Sequence, residues 1–213
     1  MKIGVLGSGI VGQVLGGGFA GLGHAVMIGS RSPESDELKH WKAQNGARAS
    51  TGSFAEAARF GEVLILATLG SAAESAIGLA GKEHFAGKVL IDVTNPLDFS
   101  GDAPTLFVGW NDSLGERVQR WLPDARVVKA FNTVGNAHMV KPQFPGGPPT
   151  MFFCGNDARS KQTVASILND FGWESVDIGA IDGARELESL CILWVKYAIQ
   201  MKTRDHAFKM LRK

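Results

Sequence analysis

A short apolar run, Ile3-Gly4-Val5-Leu6, passes directly into Gly7-Ser8-Gly9-Ile10-Val11-Gly12, and no other stretch narrows the choice of fold as far. Glycines at this spacing, between a strand and a helix, each have a separate task. Gly7 lets the chain turn sharply out of the strand, Gly9 lets a ligand approach the backbone, and Gly12 lets the helix lie close to the strand. A second apolar stretch at residues 25–28 follows at the distance expected of a βαβ unit. In that setting the N–H groups that open the helix, aided by its dipole, cradle a diphosphate. Gly7, Ser8, Gly9, Ile10, Val11 and Gly12 are therefore read as the diphosphate loop of a dinucleotide site. A chance glycine-rich turn would need neither the strand before it nor the helix after it.

The end of the second strand selects the dinucleotide. NAD-binding units place Asp or Glu there to accept bonds from the ribose 2′-hydroxyl. This chain has Gly29-Ser30-Arg31-Ser32, and its nearest acid, Glu34, lies beyond Pro33. A guanidinium flanked by hydroxyls suits a 2′-phosphate, with charged bidentate bonds from Arg31 and neutral ones from Ser30 and Ser32. The plainer reading is a solvated arginine in a turn before a serine-capped helix, and the two are compatible. NADP(H) is the expected cofactor.

Beyond this unit, helical and strand patterns alternate. Helices are predicted over residues 36–45, 54–60, 72–79 and 114–122, and strands over 48–50, 63–67, 89–93 and 126–130. The run Val63-Leu64-Ile65-Leu66-Ala67 is apolar throughout, as in a parallel strand covered on both faces. The fold class is α/β: a Rossmann doubly wound, mostly parallel sheet. Residues 1–134 would form the NADP-binding domain. Residues 135–213 would form a small α+β extension packed on the same sheet, with strands at 150–154 and 175–178 and helices at 158–171 and 184–201. That last helix is apolar nearly all round, so its second side is expected to meet a ligand or another subunit. The basic tail, residues 202–213, reads as a solvated helix end with Phe208 and Leu211 as candidate anchors.

Ligands of such sheets lie beyond the carboxyl ends of the strands. Thr68, Thr94, Asn95, Asn132 and Thr133 stand there with hydroxyl and amide groups suited to a ribose and a carboxamide. They could equally end their strands and satisfy their own backbones. The irregular stretch 135–149, rich in proline and glycine, leaves the same edge and is read as a lid or substrate wall.

Composition excludes several classes. A chain of 213 residues, 45% hydrophobic, can bury one sizeable core. A formal net charge of +1 without basic clusters argues against nucleic acid or an anionic membrane as partner. There is no secretory signal pattern, and the apolar run 190–195 falls far short of the roughly 20 residues that cross a bilayer. The expected location is cytoplasmic. Cys154 and Cys191 read as inert core thiols, and His24, His40, His84 and His206 show no metal-ligand spacing, so no metal site is expected.

The residues Met1 to Glu34, with Gly-Ser-Arg after the second strand, resemble the NADP-dependent reductases of the deazaflavin coenzyme F420. Asp92-Val93-Thr94-Asn95-Pro96, Val127-Val128-Lys129-Ala130-Phe131-Asn132-Thr133, Phe153-Cys154-Gly155-Asn156-Asp157 and Ala184-Arg185-Glu186-Leu187-Glu188-Ser189-Leu190 extend the likeness along nearly the whole chain. The sequence is also similar to the cytosolic Rossmann domain of the six-transmembrane epithelial antigen metalloreductases. The resemblance implies NADP(H) on Gly7–Gly12 and Ser30-Arg31. It implies a nicotinamide near Thr68-Leu69, Asn95-Pro96 and Ala130, and a terminal helix that flanks the acceptor and a dimer contact. Phe131-Asn132-Thr133 departs from the deazaflavin reductases toward the metalloreductases, and residues 196–213 depart from the deazaflavin-facing helix.

Hydride transfer between stacked rings needs alignment above all, so a dedicated acid or base can be absent. His138, in the irregular stretch, is the one candidate. The expected function is hydride transfer between NADPH and a flavin, deazaflavin or similar planar small-molecule acceptor, by a homodimer. Two alternatives stand: a non-catalytic NADP-sensing module, and a small hydroxyacid or imine reductase with Lys196 as proton donor.

Overall fold

Runs of Val, Ile and Leu form strands that bury both faces of one sheet, and helices cover it from each side. The computed structural model describes residues 1–101 and 103–213. In chain order the strands are β1 (Lys2–Leu6), β2 (Ala25–Gly29), β3 (Ala49–Gly52), β4 (Val63–Leu66), β5 (Val89–Asp92), β6 (Leu97–Asp98), β7 (Thr105–Leu106), β8 (Arg126–Lys129), β9 (Thr150–Gly155) and β10 (Glu174–Asp177). The helices are α1 (Ile10–Gly21), α2 (Asp36–Asn45), α3 (Phe54–Phe60), α4 (Ala73–Ala80), α5 (Leu114–Trp121), α6 (Ala158–Asp170) and α7 (Ala184–Met201).

The large sheet runs β10-β9-β8-β5-β4-β1-β2-β3. Its six strands from β3 to β8 are all parallel, which is the doubly wound Rossmann order. β9 joins β8 antiparallel and β10 joins β9 parallel, so the C-terminal part extends the same sheet. Because successive strand side chains point to opposite faces, two cores result. One packs Phe19 of α1, Leu38 and Trp41 of α2 and Leu168 of α6; the other packs Phe54 of α3, Ile77 of α4, Val118 of α5 and Leu187 of α7.

The predicted elements match the structure to within a residue or two at their ends. A separate two-stranded hairpin, β6 with β7, was not predicted; two-residue strands carry no readable period.

The tail corrects the expectation of a solvated helix end. α7 stops at Lys202, in the left-handed region, and the chain then folds back over the sheet edge. The N–H of Thr150 donates to the carbonyl of Phe208 and that of Met210 to Thr150 Oγ1. His206 stacks on Trp194 at 4.5 Å between centroids, while the Trp194 indole N–H donates to its carbonyl. These backbone and ring contacts compete successfully with a further helical turn. Phe208 is half-buried, but Leu211 is 87% exposed and anchors nothing.

Among the described residues, no helix is long and apolar enough to cross a membrane, and no three His, Cys, Asp or Glu side chains gather as a metal site.

Candidate functional site

The carboxyl ends of β1, β2, β4 and β5 open into a cavity of about 810 Å³. Gly7 leaves β1 with φ +129°, a conformation open to glycine, and a Cβ there would meet the Ala67 carbonyl oxygen at 2.4 Å. A Cβ on Gly12 would meet the Gly7 carbonyl oxygen at 2.0 Å, so α1 can lie this close to the turn only without a side chain. Gly9 differs: a Cβ there would point into open space, on the cavity side. It is the N-cap of α1, and no side chain caps that helix. By contrast α2, α3, α5 and α6 are capped by Ser35, Ser53, Ser113 and Asp157.

Gly7, Ser8, Gly9, Ile10 and Val11 line the cavity, with Ser30, Arg31 and Ser32 at the end of β2 and Thr68, Leu69 and Asn95 beyond β4 and β5. Arg31 is exposed and enters no ion pair among the described residues. Ser30 is partly committed: its Oγ lies 3.0 Å from Ser8 Oγ and accepts from the N–H of Ser32 at 3.1 Å. Thr68 Oγ1 is buried and has no partner among the described residues. A buried hydroxyl costs free energy unless something bonds it, so this atom is open to a polar group entering the cavity. A loop of close-approach glycines, an uncapped helix terminus, a free guanidinium and an orphaned hydroxyl fit a phosphorylated dinucleotide.

The other expected residues are near but turned away. Gly12 lies behind the loop. Thr94, 2% exposed, donates its hydroxyl to Asp92 Oδ1 at 2.6 Å. Pro96 and Ala130 are buried and line neither of the two cavities described here. Asn132 is buried as well, its amide donating to Asn95 Oδ1 at 3.0 Å and to the Leu187 carbonyl at 2.9 Å. Thr94 and Asn132 thus act from beneath, fixing the strand ends that carry Asn95. Phe131, buried and at φ +61°, is held in the left-handed region at the turn before Asn132.

A second cavity of about 800 Å³ adjoins the first and shares Val11 and Phe99 with it. Its walls are Val134, Gly135 and Asn136, the α7 residues Trp194, Val195, Ala198 and Ile199, and Lys202, Thr203, Arg204 and Asp205 of the tail. Only the first residues of the stretch 135–149 border it. Beyond them Met139, Pro142 and Pro149 are buried, the Met139 carbonyl accepting from the Trp173 indole N–H, while residues 145–148 are exposed. His138 borders neither cavity; its Nε2 lies 2.9 Å from Asp205 Oδ1 and its ring packs on Phe144. Lys196 is exposed and also borders neither.

One cluster went unseen in the sequence. Asp92 and Lys129 are register partners on β5 and β8, so their side chains share a face, and both are fully buried. Lys129 Nζ bonds Asp92 Oδ2 at 2.9 Å and the Thr94 carbonyl at 2.7 Å, and lies 3.0 Å from Glu188 Oε1 of α7. Burial alone would push the ammonium's pKa down, but the two carboxylates hold it above the ordinary lysine value. Cys154 and Cys191 lie near, and burial pushes both thiols up to about 12, so neither is a nucleophile at neutral pH. The available signal was one acid and one base at matching places in two otherwise apolar strands.

Residues 2–96 match the family model for NADP oxidoreductases, coenzyme F420-dependent. The F420-dependent NADP reductase of Methanothermobacter marburgensis is 30% identical, over 99% of this chain and 98% of that protein. The metalloreductase STEAP3 of Rattus norvegicus is 29% identical over 89% of this chain, and the match spans 36% of that protein's length. A crystal structure from Arthrobacter sp. FB24, of a proposed F420-dependent NADP-reductase, superposes with a TM-score of 0.94 at 40% identity and covers both chains fully.

Proposed function

The chain belongs to the coenzyme F420-dependent NADP oxidoreductase family, and from that premise we propose that it passes a hydride between NADP(H) and a deazaflavin or flavin ring, with F420 as the leading acceptor. It is an NADP-dependent oxidoreductase; the acceptor is the proposed part. The observation that carries the reading is the junction of two large cavities at Val11 and Phe99, one with the chemistry of a dinucleotide site and the other walled by Val134, Trp194, Val195 and Ala198.

In this reading the loop Gly7–Gly12 and the uncapped N-terminus of α1 hold the diphosphate. Arg31, free at the rim, takes the 2′-phosphate through its planar fork, with Ser32 beside it and Ser30 holding the turn. Thr68 offers its unpaired hydroxyl toward the second ribose or the carboxamide, and Asn95 borders the same end. When bound, the nicotinamide supplies the hydride chemistry. The chain contributes alignment and exclusion of water, which need no acid or base, and His138 stays engaged with Asp205.

The test is anaerobic NADPH oxidation with coenzyme F420, FMN and riboflavin in turn. Turnover with a ring acceptor is expected. NADPH binding without turnover of any of them overturns the acceptor assignment and leaves the non-catalytic sensor.

We also infer a homodimer through α7. Leu193, Tyr197 and Met201 share one side of it and are each about half exposed, which is costly for large apolar side chains. Light scattering should give twice the 22.7 kDa chain mass; the single mass at high concentration overturns this.

A further inference from the structure

Phe99 follows directly on β6, in the hairpin that stands apart from the main sheet. Its side chain is 63% exposed and belongs to neither core, so packing of the fold does not account for a phenylalanine there. The N–H of Phe107 donates to the Pro96 carbonyl at 2.9 Å, which extends the β6–β7 ladder by one bond, and the N–H of Ser100, next to Phe99, donates to Asp98 Oδ1 at 2.8 Å. Phe99 borders both cavities, and among their lining residues only Val11 does the same. A ring at that place is where a ligand in one cavity meets a ligand in the other.

We propose that Phe99 is a specificity-determining residue of the acceptor site: its ring is the face against which a flat acceptor is seated beside the nicotinamide. The inference rests on the reading that the second cavity takes a planar acceptor. An aromatic face selects flat π-systems, because offset-stacked and edge contacts reward ring geometry as well as buried area; an aliphatic side chain of similar size rewards area alone. The ligand would cover apolar surface that the free chain leaves to water. Seating the ring also limits its freedom at the point of transfer, where misalignment is expensive in rate. The diphosphate loop and Arg31, which anchor the dinucleotide in the proposed reading, lie on other elements, so removing the ring costs the acceptor more than the dinucleotide.

The test compares Phe99→Ala, Phe99→Leu and Phe99→Tyr with the native protein. It measures the NADPH Kd by fluorescence titration without acceptor, then KM and kcat with coenzyme F420 and with riboflavin. Phe99→Ala should raise the acceptor KM roughly ten-fold, the size expected from a lost aromatic contact, and lower kcat, with a clearly smaller change in the NADPH Kd and an unchanged Tm. Phe99→Tyr should restore native kinetics and Phe99→Leu should not. Native kinetics in Phe99→Ala, or full rescue by Phe99→Leu, overturns the proposal. A loss of NADPH affinity as large as the loss for the acceptor also overturns it, since the ring would then belong to the dinucleotide site. If the native protein turns over neither ring, the functional reading itself fails, and this inference falls with it.

Discussion

Of the helices that begin at the carboxyl edge of the sheet, α1 and α5 have their N-termini treated in opposite ways. At α5, Ser113 Oγ accepts from the N–H of Glu116 at 3.1 Å, and Glu188 reaches across from α7 to accept from the N–H groups of Leu114 and Gly115 at 2.9 Å each. At α1 the N-cap is Gly9, no side chain caps it, and its first turn carries no acid. Both termini present unpaired donors and the positive end of a helix dipole. At α5 a carboxylate from elsewhere in the chain meets that demand, and Lys129 and Asp92 are buried with it. At α1 no side chain caps the terminus among the described residues, and in the proposed reading a diphosphate meets the demand. The two termini then differ in where the anion comes from: the chain itself at α5, the proposed ligand at α1.

The comparison breaks most visibly at Lys129. Its ammonium compensates two buried carboxylates, so Lys129→Met leaves Asp92 and Glu188 facing each other without water. A loss of about 3–5 kcal/mol in denaturant unfolding is expected, the usual range for breaking a buried pair from one side. A loss under about 1 kcal/mol, as for an exposed pair, would mean that the terminus of α5 does not rely on this cluster. In the cavity that α1 borders, the matching experiment is Arg31→Ala, just after β2. It should cost NADPH affinity about 1.5–3 kcal/mol through a lost charged hydrogen bond, measured by calorimetry. NADH affinity and unfolding should be unchanged. Equal losses for both dinucleotides would remove Arg31 from the 2′-phosphate.

The two termini were also unequally legible. α1 could be read from the sequence because its determinants are adjacent: strand, glycines, helix and Ser30-Arg31-Ser32 within a short stretch. The capping of α5 could not. Glu188 lies 74 residues from Leu114 in the chain and looks like one more charge on a helix. Lys129 and Asp92 lie 37 apart and meet only through strand register. The same limit applies to the tail, whose place depends on ring stacking of His206 on Trp194 and on bonds to Thr150 rather than on periodicity. It also applies to Phe99, because a two-residue strand has no pattern to read. Thr94 and Asn132 were recognised as lying at the ligand edge, yet hydrogen bonds to Asp92 and Leu187 turn them inward. Sequence position located the edge but not the direction in which each side chain points.

The smallest effect sharpens the account of α5. Arg185 of α7 donates to Glu116 through Nε at 2.8 Å and Nη2 at 2.6 Å, a forked pair next to the Glu188 contacts. That bond to Arg185 holds the Glu116 carboxyl below the usual glutamate range, against the opposing effect of partial burial. A group whose pKa is depressed by folding stabilises the fold above its unfolded value, near 4.3, and loses that contribution as pH falls through its folded value. Glu116→Gln should therefore cost roughly 1 kcal/mol at neutral pH, near the upper end for a partly exposed pair. The cost should shrink toward zero as acid removes the charge from the native protein as well. Unfolding curves for both proteins from neutral pH into acid test this. If the gap stays constant with pH, Glu116 matters for its shape or its bond to Ser113, and Glu188 alone supplies the negative charge that holds α5 to α7.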